Sequence, residues 1–302
     1  MAIPTKSFED IYEKYSAAIK WMLDIGVTIG PGRTSHYEKI VGYWKDSYKT
    51  ASVEEGKEAF PDFLSSMFEV HDFIDVYEAF QKIPPNQLTS IVQKLNKAVN
   101  GPINAVEETP KSTTARNYLF EAVVAAKANN PNNGIKTILE AKSDTGININ
   151  GKKIWVECKR ISTSDNIESN ARKASSQLEV ILKKQVGSGH RGIVALDVSK
   201  IVNPRDEIFV SNNDSDLLES IDRLMDNFIK EYSSIWQRIY IRRSKKIIGT
   251  IIRFAFMSSS EARNILVHTS QWGLNPRLEI SGSDEHIQRL LVSSLKESNN
   301  EN

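Results

Sequence analysis

Asn150-Gly151 stands between two short runs rich in β-branched and apolar residues, TGINI and KKIWVECKRI. An Asn-Gly pair in that setting fits a type I′ turn, whose two central residues take positive φ. The two runs therefore read as antiparallel neighbours in one sheet, and the turn fixes their pairing. Alternate side chains of a strand share a face. Trp155, Glu157 and Lys159 then point one way, while Ile154, Val156 and Cys158 point into the opposite packing layer. A glutamate and a lysine beside a tryptophan are unusual company for a strand that is otherwise apolar.

The flanking sequence sets the order of elements. Ser112, Thr113 and Thr114 offer N-caps for a helix through ARNYLFEAVVAAKAN, with Tyr118, Leu119, Ala122, Val123 and Ala126 as its apolar stripe. IKTILEA precedes the hairpin as a further strand. NIESNARKASSQLEVILKKQV follows it as a long amphipathic helix, and the connector GSGHRG leads into the strand GIVALDVS. The expected order is α-β-β-β-α-β over residues 112–200. Beyond it the pattern predicts a helix over 214–236, a strand over 246–257, a short strand at NILVH and a last helix over 284–295. The polar tail KESNNEN is expected to fray.

Residues 7–99 carry a different period. Apolar residues recur at three- and four-residue spacing through FEDIYEKYSAAIKWMLDI, HYEKIVGYWKDSYKT, FPDFLSSMFEVHDFIDVYEAF and LTSIVQKLNKAV, broken by IGPGRT and KIPPNQ. NGPINAVEETPKST, with two prolines and little apolar content, marks the boundary. The expectation is an all-α N-terminal domain over 1–108, followed by an α/β domain with a mixed central sheet over 109–302.

With 302 residues, 40% hydrophobic and 25% charged, the composition is that of a soluble globular protein. The single cysteine, Cys158, excludes an internal disulfide framework and fits a reducing cytoplasm. MAIPTKSFEDIYEKY lacks the apolar stretch of a signal peptide, and no run approaches the ~18 apolar residues of a membrane span. A cytoplasmic location without membrane attachment is expected.

The chemistry centres on the hairpin. Asp144, at the entry to the strand before the turn, is placed to lie beside Glu157. Two carboxylates about 4 Å apart repel by about 4 kcal/mol at an effective dielectric near 20. A divalent cation between them removes that cost, and an oxygen-rich site suits Mg²⁺, with Mn²⁺ as a substitute. Lys159, one strand step beyond Glu157, is placed to contact a phosphate or the attacking water. Metal-assisted phosphodiester hydrolysis is the chemistry such a set performs. Glu121 lies at the edge of the preceding helix's stripe and can reach over the sheet. Asn170, Lys173 and Gln177 line one border of the following helix.

Glu121, Ser143-Asp144 and Glu157-Cys158-Lys159, in α-β-β-β-α-β order, resemble the PD-(D/E)xK nuclease superfamily, which includes restriction endonucleases and Holliday-junction resolvases. The resemblance covers residues 112–200 and implies a restriction-endonuclease-like core. It makes Asp144 and Glu157 metal-binding acids, Lys159 the catalytic lysine, Glu121 the helix acid and Gln177 the polar residue some members carry on the next helix. It also makes the Cys158 carbonyl a backbone metal ligand. Ser143 replaces the family's proline. The implied activity is Mg²⁺-dependent DNA hydrolysis, in restriction or defence against foreign DNA, with RNA left open as the polymer and endo- or exonuclease action unspecified. A non-catalytic nucleic-acid-binding or assembly protein that keeps the fold is the alternative.

Plainer readings stand beside each residue. Glu157 and Lys159 also suit a cross-strand ion pair, Asp144 a turn-shaping residue, and Glu121 and Gln177 solvated helix positions. Cys158 should be core. The charge distribution favours a polyanion locally: residues 152–191 hold nine Lys/Arg against four Asp/Glu, although the whole chain is only +1. Arg160 and Lys173 belong to that segment, and Arg242, Arg243, Lys245 and Lys246 form a second basic cluster. These six are the expected nucleic-acid contacts. The stretch from Glu54 to Glu78 is acidic, and the helical N-terminal domain is where a homo-oligomer would form.

Overall fold

The computed structural model describes residues 3, 5–50, 52–109 and 112–296. Most of the KESNNEN tail, from residue 297 onward, lies outside the described residues. The chain divides into two compact units. The first gathers residues 1–119, 203–218 and 255–269, and the second gathers 120–202, 219–254 and 270–302. Sequence alone draws one cut near residue 108; two later stretches in fact return to the first unit. No helix among the described residues is long and apolar enough to cross a membrane.

The helical reading of the first hundred residues holds. Helices α1 (Phe8–Asp24), α2 (Arg33–Ser47), α3 (Val53–Phe80) and α4 (Thr89–Ala98) follow one another, and α1, α2 and α3 pack together. Ser7 caps α1 and Ser52 caps α3, each in a reciprocal capping box with Asp10 or Glu55. Tyr15, Tyr37, Val41, Val70 and Phe73 are fully buried in this unit.

A buried charge network lies within the same unit. Glu69 on α3 takes Arg116 Nε at 2.7 Å and the Tyr37 hydroxyl at 2.9 Å on one oxygen. Its other oxygen lies 2.8 Å from Arg33 Nη1, an ion contact whose N–H is not aligned as a hydrogen bond. Tyr37 and Arg116 also donate to the Ile103 carbonyl. Burial opposes the charge on Glu69, but the two guanidiniums outweigh it and hold its carboxyl below the ordinary value.

Helix α5 (Thr114–Lys127) leads to strands β1 (Ile135–Ile138), β2 (Thr145–Ile149) and β3 (Lys152–Arg160), then α6 (Ile167–Lys183) and β4 (His190–Asp197). The α-β-β-β-α-β order is therefore observed. β1, β2 and β3 pair antiparallel, while β3 with β4, and β4 with β6 (Ile247–Ser260), pair parallel. The sheet is mixed. Asn150 and Gly151 have φ of 49° and 85°, and Ile149 pairs with Lys152, so the two-residue turn is of the expected kind.

The rest of the chain adds α7 (Ser199–Val202), β5 (Phe209–Ser211), α8 (Asp214–Glu231), α9 (Ser233–Ile241), β7 (Ile265–Pro276) and α10 (Gly282–Lys296). The reading of one helix over 214–236 is corrected to two, α8 and α9. The short strand at NILVH extends to twelve residues, because pairing with β6 carries strand geometry through polar positions that alternation alone does not mark. Strand β5 and helix α7 were not expected; three or four residues carry no usable period.

Candidate metal-dependent active site

β3 is covered on both sides: Ile154, Trp155, Val156, Glu157 and Cys158 are all buried. Helix α6 covers the face that carries Glu157. Gly192 pairs with Trp155 across β3 and β4, and a Cβ there would stand 3.1 Å from Leu182 and 3.4 Å from Leu178 of α6. The missing side chain lets the helix close onto the sheet.

Asp144 precedes β2, and the Cys158 amide donates to its Oδ2 at 2.8 Å. That bond holds the carboxylate at the β2 edge of β3, within reach of Lys159. Lys159 Nζ lies 3.5 Å from Asp144 Oδ2 and 3.6 Å from Glu157 Oε2. The structure thus brings Asp144, Glu157 and Lys159 together. The Glu157 side chain is only 4% exposed, against 24% for Asp144 and 18% for Lys159.

Glu157 Oε2 is buried without a hydrogen-bond partner. Burial first, and then the Asp144 carboxylate beside it, push the Glu157 carboxyl up to about 8; Lys159 works against this, and Glu121 adds to it. A buried carboxylate with an unmatched oxygen, facing a second carboxylate, fits a divalent cation. Mg²⁺ is commonly held by one or two carboxylates and keeps several waters. Among the described residues, no three His, Cys, Asp or Glu side chains gather as a ligand cage, so Glu121 is not joined to the two acids at ligating distance.

Glu121 is nevertheless buried on α5, and its carbonyl accepts from the Thr145 hydroxyl at 3.0 Å. Ser143 donates to the Thr145 carbonyl at 2.6 Å. Thr145 therefore ties α5 to the start of β2, directly beside Asp144. Sequence reasoning missed it, since a strand threonine gives no sign of a partner 24 positions away.

The remaining expected residues are dispersed. Gln177 and Lys173 are exposed on α6, and Asn170 bonds back to the Asn166 carbonyl. Arg160 is half-buried, 3.9 Å from Asp197, which also faces Arg253 at 3.6 Å. Arg242 and Lys245 are exposed. Arg243 is engaged by Glu179 at 3.0 Å and by Ser176 at 2.5 Å, which fastens the turn after α9 to α6. Lys246 donates to the Gly187 carbonyl. Cys158 is buried, as core.

No family model, curated protein or solved structure matches this chain.

Proposed function

We propose that the chain is a metal-dependent nuclease with a restriction-endonuclease-like core, hydrolysing DNA phosphodiester bonds at Asp144, Glu157 and Lys159. The observation that carries this reading is buried Glu157 beside half-buried Asp144, with an unmatched oxygen on Glu157 and an ammonium within 4 Å of both acids. A purely structural ion pair has no need of two acids and one lysine behind a covering helix. Asp144 and Glu157 would hold Mg²⁺, which when bound polarises a phosphoryl oxygen and lowers the pKa of a bound water. Lys159 donates to the phosphate and offsets charge that develops on it during attack. The Cys158 amide holds Asp144 in place, and Thr145 anchors the strand end from which it projects.

Linear, circular and single-stranded DNA, incubated with the purified chain with and without Mg²⁺, test the reading. Cleavage should require the metal, and Asp144→Ala should abolish it while the fold persists. Lys159→Ala should retain Mg²⁺ and DNA binding yet cleave at least about a hundredfold more slowly. DNA retained without product would identify a binding module instead. Near-parental turnover by Lys159→Ala would remove that lysine from the chemistry.

A further inference from the structure

Trp155 stands between two glycines: Gly146 pairs with it on β2 and Gly192 pairs with it on β4. With no side chain on Gly146, the indole has room to lie across β2. A Cβ on Gly146 would come within 3.3 Å of the Trp155 ring. The indole N–H donates to His190 Nδ1 at 3.3 Å. The two rings are parallel to within 7°, with centroids 6.0 Å apart. The indole and imidazole are therefore parallel, offset rings joined by this bond. Trp155 is buried and only the His190 end reaches solvent.

The indole N–H makes Nδ1 of His190 an acceptor, so the neutral ring carries its proton on Nε2 and is held in one orientation. A ring fixed at that edge is placed to offer its face to a ligand. Burial first, and then Lys153, Lys246 and Lys142, lower the imidazole's pKa below the ordinary value. Lys153 is the strand partner of His190, and Lys246 is tied to the same loop through the Gly187 carbonyl. Val186, at the head of that loop, is 94% exposed.

An aromatic ring held at one edge, with Lys153 as its strand partner, Lys246 tied to the same loop and an exposed aliphatic side chain beside it, is the chemistry that binds an unpaired nucleotide. Bases stack on the flat ring, and ammonium groups hold the backbone. A small anion has no use for the ring, and a duplex has no free base face to lay on it. The position also suits the site. His190 pairs with Lys153 and Val194 pairs with Glu157, so the ring lies four strand residues from the acids, about 13 Å along β3 at the usual rise. We infer that His190, with Val186 and lysines 142, 153 and 246, holds an unpaired nucleotide of the strand whose backbone reaches Asp144 and Glu157. The inference rests on the nuclease reading and narrows its substrate to single-stranded or splayed nucleic acid.

The test is binding of the full chain to a fluorescein-labelled single-stranded 15-mer and to the matching duplex, by anisotropy in EDTA, so that no cleavage is needed. His190→Ala should weaken single-strand binding about tenfold, within the range for loss of one base stack, without changing the salt slope. His190→Phe should restore affinity to within about twofold, because stacking needs only the ring. Paired Lys142→Ala and Lys153→Ala should lower the salt slope by about 1.4, from roughly 0.7 per lost phosphate contact on a single strand. Circular dichroism checks the fold of each variant. The inference is overturned if His190→Ala binds as the parent does, if His190→Phe fails to rescue while folded, or if the parent prefers duplex. If His190→Ala does not fold, an unchanged slope in the lysine pair overturns it alone. These outcomes are separate from the nuclease reading, which fails when the parent cleaves nothing with Mg²⁺.

Discussion

Two glutamates, both buried, define the two units by contrast. Glu69 in the first unit is met by Arg33, Arg116 and the Tyr37 hydroxyl, and its carboxyl titrates below the ordinary value. Glu157 in the second faces another acid, keeps one oxygen without a hydrogen-bond partner, and has its carboxyl pushed up to about 8. Both glutamates are desolvated, and what differs is the charge placed beside them. In the first unit the cost of burying a carboxylate is offset within the chain. In the second it is left open, with Lys159 at 3.6 Å as partial compensation. A buried acid without full compensation in its own fold is a candidate for a place where something else binds.

The largest effect should come from breaking the compensated side. Glu69→Gln leaves two guanidiniums buried without their anion and should cost about 3–5 kcal/mol in urea melts. Its pH dependence follows from the lowered carboxyl. In the parent, the Glu69 contribution is fully present above the ordinary value of 4.5 and is lost as pH falls through the lower folded-state value. The variant should lack that acid-side loss. Equal stability of parent and variant at pH 7 would show that the network contributes nothing net.

On the uncompensated side the sign should reverse. In EDTA at pH 8.5, Glu157→Gln should be more stable than the parent, by about 1–3 kcal/mol, because a buried unmatched charge has been removed. The Glu157 carboxyl is raised, so between its ordinary 4.5 and about 8 the folded state holds the extra proton. Parental stability should therefore fall as pH rises through that window, and the variant should not show the decline. Saturating Mg²⁺ should stabilise the parent and leave Glu157→Gln unchanged. A destabilised variant in EDTA would place Glu157 with Glu69 as a compensated structural acid.

The smallest effect sharpens the contrast from outside. Arg242 and Lys245 are exposed, so replacing both by alanine should move stability by less than about 0.5 kcal/mol. If they hold backbone phosphates, the same change lowers the salt slope of duplex binding by up to roughly 1.8. An unchanged slope would make this cluster solvated surface. Arg243, tied to Glu179 and Ser176, is excluded from that test because its loss would loosen the turn after α9.

Much of this was legible in the residues themselves. Asn150-Gly151 marked the hairpin, since this pair readily takes the two positive φ values of the type I′ turn that joins the strands. Strand parity then put Trp155, Glu157 and Lys159 on one face, and the entry to β2 put Asp144 beside them. Helical periods located α1 to α6 because each repeats over ten residues or more. These are local matters, encoded in backbone dihedrals and in spacing along a few turns or strand steps.

Tertiary structure decided the pairings between distant residues. Glu69 meets Arg116 from 47 positions away, and Thr145 meets the Glu121 carbonyl from 24. Trp155 reaches His190 across the β3–β4 pairing, beside a β2 glycine that leaves room for its ring. Residues 203–218 and 255–269 return to the unit of the first hundred residues, although nothing in their own pattern points there. The identity of a buried charge's partner is a property of chain closure. Desolvation turns that partner into the difference between a carboxyl lowered below its ordinary value and one raised above it, and no local period in the sequence carries it.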